Sequence, residues 1–127
     1  MKDPAYEAGL AVRRRILGDG HVNRSLENAT AFDQDFQELV TRHAWGDIWT
    51  RPGLDHRTRS LITIAMLAAG GRDEELKLHV RATRNTGATV EEVKEVLLQV
   101  AVYAGAPAAN TAFAEASKVI ESLKPQA

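Results

Sequence analysis

Residues 72–87 read RDEELKLHVRATRNTG, and both ends carry helix punctuation. Asp73, Glu74 and Glu75 crowd the start, where a helix terminus attracts negative charge, and Gly87 stands where a left-handed terminating residue is wanted. The stretch reads as a helix, with Asp73 as candidate cap. Its neighbours read the same way. Downstream, Thr89 and Glu92 of TVEE form a capping box for a helix that continues through VLLQVAVYAG, and Pro107 starts another ending near Leu123. Upstream, Asp55 is placed to cap HRTRSLITIAMLAAG, whose latter half is apolar on nearly every side and which ends at Gly70 and Gly71. Asn28 to about Trp49 is expected as one helix presenting Phe32, Phe36, Leu39 and Val40 on one face, with Gly46 as a point of bending and RPG at 51–53 as its end. Asp3 and Pro4 begin the first helix, which runs to about Leu17; GDG at 18–20 stops it, and His21 to Glu27 is expected as loop. No segment alternates like a strand. The predicted fold is all-α, about six helices in a single domain spanning residues 1–127.

Composition narrows the chemistry. The chain has 127 residues, a net charge of −1 and no cysteine, which removes disulfides, thiolate nucleophiles, thiolate metal sites and thiol redox reactions together. Neither a basic stripe nor an acidic tail marks a nucleic-acid partner. Arg13, Arg14 and Arg15, the only cationic run, are expected on a solvated helix face. No apolar run reaches the length of a membrane span, and the first ten residues lack a signal-peptide layout, so a cytoplasmic location is expected. The helices over 56–70 and 89–105 are too apolar all round for a small monomer to cover, which points to a homo-oligomer.

Glu75 lies four residues before His79, so on a helix the carboxylate can approach the imidazole and hold one tautomer. The same spacing also describes a solvated surface pair, and it leaves both readings open. Metal binding is disfavoured because no second histidine sits at helical spacing and no HExxH is present. His43 and His56 near element ends, and His21 in a loop, read as surface or packing residues. Arg57 and Arg59 fall in the first turn of a helix, where the dipole does not favour cations; a carboxylate ligand would account for them, as would pairing with nearby acidic residues. Trp45, Trp49, Tyr103 and Phe113 read as core or interface.

Taken together, HAWGDIWTRPGLDHRTRSLITIAML at 43–67, EELKLHVRATRNTGATVEEVKEVLLQVAVYAGAPAA at 74–109 and the spacing between them resemble the gamma-carboxymuconolactone decarboxylase family of the alkylhydroperoxidase D-like superfamily. The resemblance implies an all-helical homo-oligomer, a hexamer, that acts on a small carboxylated lactone without metal or organic cofactor. The implied reaction converts 4-carboxymuconolactone to 3-oxoadipate enol-lactone in protocatechuate breakdown by the β-ketoadipate pathway. His79 is then the expected proton donor, Glu75 its orienting partner, and Arg57 or Arg59 the carboxylate anchor. Alternative readings are a decarboxylase or isomerase of a related lactone, or a non-catalytic helical module that binds small carboxylates. Peroxidases of the same superfamily use two cysteines and an upstream glutamate. Aligned on His79, those positions hold Arg72, Glu75 and Ser60 here, so thiol-dependent peroxide reduction is excluded.

Overall fold

The structure, a computed structural model, describes residues 3–124. Those residues form seven α-helices and one π-helix, with no strand among them. The helices are α1 (Pro4–Leu17), α2 (Asp19–Glu27), α3 (Gln34–Leu39), the π-helix (Val40–Gly46), α4 (His56–Ala69), α5 (Asp73–Thr86), α6 (Val90–Tyr103) and α7 (Ala106–Leu123). No helix among the described residues is long and apolar enough to cross a membrane. The residues divide into two compact units, one ending at Asp55 and the other beginning at His56.

The first unit joins α1 to the π-helix by close backbone contact. A Cβ on Gly9 would collide with the carbonyl oxygen of Thr41 and lie 2.7 Å from the Gly46 nitrogen; one on Gly46 would lie 2.6 Å from the Ala5 carbonyl oxygen. Only hydrogen at both positions allows that approach. Asp3 caps α1 as expected, accepting from Tyr6 N–H at 2.9 Å. Trp45 and Trp49 are buried and stack with ring centroids 4.8 Å apart.

Three sequence expectations change in this unit. His21 to Glu27 is not loop but belongs to α2. The single helix expected from Asn28 is broken: Asp33 Oδ1 accepts from Thr30 N–H at 2.7 Å and Thr30 Oγ1 accepts from Phe32 N–H at 3.2 Å, bonds that hold a turn in place of a helix. The expected apolar face is consequently turned outward, with Phe32 97% exposed and Phe36 and Leu39 also exposed. Arg13, expected on a solvated face, is 5% exposed because it shares the inward stripe of Tyr6, Gly9 and Ile16. Its guanidinium donates to Thr41 Oγ1 and Gln37 Oε1, both at 3.0 Å, and burial lowers its pKa.

The second unit is a four-helix assembly. Ile64 and Ala68 of α4, Leu76 and Val80 of α5, and Val93, Leu97 and Val100 of α6 meet a stripe of small residues on α7, Ala109, Ala112 and Ala116. Full burial of a residue such as Leu76 contributes about 1.5–3 kcal/mol. The capping box of Thr89 and Glu92 is present, and Gly87 terminates α5 in the left-handed region. Asp73 opens α5 as its first helical residue rather than capping it; the cap position is Arg72.

Candidate active site

The first turn of α4 places Arg57 and Arg59 on different sides of the helix, since residues two apart are separated by about 200°. Arg57 Nε donates to Glu92 Oε1 at 3.1 Å, and its Nη2 pairs with Glu92 Oε2. The same Oε1 accepts from Thr89 N–H at 2.9 Å, while Glu92 N–H donates to Thr89 Oγ1 at 3.1 Å. One carboxylate therefore satisfies the start of α6 and also takes the guanidinium fork that starts α4. Arg59 is half-buried, with its Nε shielded from solvent.

On α5, Leu76 and Val80 point into the core and His79 flanks them, half-buried, with Nδ1 inside the protein. Glu75 is exposed one turn earlier, and its carboxylate forms no hydrogen bond or ion pair among the described residues. Lys77 turns another way, pairing with Glu74 at 2.9 Å and Glu115 at 3.6 Å; the hydrogen bond it donates to Glu74 is the main reason its pKa is raised.

Ser60 is the residue that sequence patterning did not single out for chemistry here. It shares the buried stripe of α4 with Ile64 and Ala68, and its Oγ has no hydrogen-bond partner among the described residues. A serine at the head of an apolar i, i+4 stripe was the available signal.

A groove of about 540 Å³ runs between α4 and α6 and is lined mainly by apolar residues such as Leu61, Ala65, Met66, Val100 and Tyr103. None of Arg57, Arg59, Glu75 or His79 lines it. Its openness and apolar walls suit packing better than the recognition of a small carboxylate. In the first unit, His43 Nδ1 lies 2.6 Å from Asp47 Oδ2, an exposed pair at the same four-residue spacing as Glu75 and His79. Among the described residues no three His, Cys, Asp or Glu side chains gather in a way that could hold a metal ion.

The second unit thus carries Arg57 and Arg59 on α4 and His79 on α5, which packs against it. Residues 34–118 match the Carboxymuconolactone decarboxylase family. The chain is 52% identical over 118 residues to a 4-carboxymuconolactone decarboxylase of Acinetobacter baylyi, covering 93% of this chain and 88% of that protein. It is 40% identical over 118 residues to a nitrosuccinic acid decarboxylase of Metarhizium robertsii, covering 93% and 82% respectively. A third relative, a 4-carboxymuconolactone decarboxylase of Pseudomonas putida, is 57% identical over 42 residues, which cover 33% of this chain and 88% of that sequence.

Proposed function

The chain belongs to the carboxymuconolactone decarboxylase family, and from that premise we propose that it is a carboxy-lyase converting 4-carboxymuconolactone to 3-oxoadipate enol-lactone in protocatechuate degradation. The observation that carries this reading is the 52% identity to a decarboxylase of that name across 93% of the chain. The family match crosses Asp55, which supports treating both units as one functional domain.

The chemistry needs little from the protein. Loss of CO₂ from the γ-carbon leaves an electron pair that moves through the ring double bond into the lactone carbonyl, giving a dienolate; a proton then adds at the α-carbon. The substrate supplies its own electron sink. The protein must hold a carboxylate, steady the charge on the lactone oxygen and deliver one proton. His79 is the proposed donor, with Glu75, one turn away, tuning and orienting it once substrate excludes water. Arg57 or Arg59 is the proposed anchor, Arg57 only by exchanging Glu92 for the substrate. That anchor belongs on the carboxymethyl arm, because tight pairing with the departing carboxylate would stabilise the ground state.

The relative named for nitrosuccinic acid favours a second reading on related chemistry. A nitro group beside a departing carboxylate is also an internal electron sink, so another acid of that kind is the alternative substrate. In either case the protein acts in the cytoplasm as a homo-oligomer, a hexamer by family resemblance. The exposed apolar residues Met66, Val102 and Tyr103, the last 85% exposed, support packing of the α4 and α6 faces between subunits. Light scattering on the purified protein reads the subunit number directly, and CO₂ release from the two acids separates the substrates.

A further inference from the structure

Hydroxyls on the α4–α5 hairpin usually close on the backbone. Thr63 Oγ1 donates to the Arg59 carbonyl at 2.8 Å and Thr83 Oγ1 to the Val80 carbonyl at 2.6 Å. Ser60 breaks that habit: it is 0% exposed, yet its Oγ has no hydrogen-bond partner among the described residues. A buried hydroxyl left this way lowers stability by about 1–3 kcal/mol, and alanine would fill the same space without the penalty.

Its place in the hairpin says what the hydroxyl is for. Helices α4 and α5 pack on one another and are joined by the short turn Gly70–Arg72. Ser60 stands ten residues before Gly70 and His79 seven after Arg72. In an antiparallel pair this sets them about 4.5 Å apart along the hairpin, less than one turn of helix. Ser60 heads the inward stripe of α4, and His79 flanks the inward stripe of α5. The charged and titratable groups on the elements packed against α5 are His56, Arg57 and Arg59 of α4 and Glu115, Lys118 and Glu121 of α7; Arg57 is paired with Glu92, Glu115 with Lys77 and Lys118, and Glu121 with Lys124. We infer that Ser60 is a positioning residue of the site, its hydroxyl linking α4 to the His79 imidazole through one water. An oxygen that accepts from the ring N–H favours the protonated imidazole, the form required of a proton donor.

The consequence for turnover rests on the proposed function; the Ser60–His79 link does not. The test is NMR titration of the imidazoles in the intact protein and in Ser60→Ala, with His79→Gln identifying the His79 resonance among the four histidines. Ser60→Ala should lower the His79 midpoint by about half a unit or more. Its unfolding midpoint should stay level or rise, while turnover falls roughly tenfold and its alkaline limb moves to lower pH. Ser60→Gly, which also lacks the hydroxyl, should give the same titration shift if alanine disturbs packing. An unmoved His79 midpoint in both variants overturns the link, whatever the wild-type activity. A moved midpoint in a protein that releases no CO₂ from the lactone keeps the link and removes the decarboxylase reading.

Discussion

Arg57 and Glu92, 35 residues apart in sequence, are joined by a hydrogen bond from Nε to Oε1 at 3.1 Å and by a second guanidinium contact to Oε2. Because Glu92 also caps α6 through Thr89, the pair fastens the starts of two helices with one carboxylate. Glu92→Ala should therefore destabilise the protein by about 1–2 kcal/mol, combining a lost cap with a partly exposed ion pair. Urea unfolding of Glu92→Ala, Arg57→Ala and the double variant measures this. Additive losses would mean that the two side chains do not cooperate.

Arg59 is the other candidate for the carboxylate. As the anchor, Arg59→Ala should raise KM for the lactone by about ten- to a hundredfold, the weight of a charge-assisted hydrogen bond. Arg57→Ala should then show a stability loss with a small change in KM. Equal KM effects for both variants would return Arg57 to the carboxylate.

Gly9 admits no side chain. Gly9→Ala would place a carbon 2.7 Å from the Gly46 nitrogen and closer still to the Thr41 carbonyl. It should lower the unfolding free energy by about 3 kcal/mol or more, or prevent soluble expression. Unfolding at the wild-type urea concentration would show that α1 and the π-helix part without loss.

The acid limb of stability should report Asp3. Its carboxyl is held below the usual value chiefly by the hydrogen bond from Tyr6 N–H, with the charge of Arg42 adding to the effect against some desolvation. A folded-state pKa below the unfolded one gives stability that is present above the unfolded value and lost as pH falls through the folded value. The gap in thermal midpoint between wild type and Asp3→Ala should be wide at pH 7 and narrow once pH drops below the ordinary aspartate range. A gap of constant width across that range would exclude an ionised cap.

What sequence reveals follows the range of the interaction. Pro4 after Asp3, the Thr89–Glu92 box and Gly87 are local signals, and each helix end they predict stands where expected. The turn at Thr30–Asp33 is equally local, but its side-chain bonds compete with a helical pattern of Phe32, Phe36 and Leu39, and the pattern misleads. Burial of Arg13 depends on α1 lying against the π-helix through Gly9 and Gly46, which no local window contains. The same holds for the candidate site: spacing leaves His79 and the two arginines open to a surface reading and the family resemblance gives them their expected roles, whereas the commitment of Arg57 to Glu92 and the buried hydroxyl of Ser60 exist only once the helices pack.

The most direct measurement of the central claim is turnover of 4-carboxymuconolactone by metal-stripped protein, following CO₂ and enol-lactone together, with His79→Ala assayed beside it and circular dichroism confirming that both are folded. The account predicts turnover that survives removal of metal and falls by about a hundredfold or more in His79→Ala, in line with loss of a general acid. A folded wild-type protein that releases no CO₂, or a His79→Ala variant that works at the wild-type rate, would contradict it.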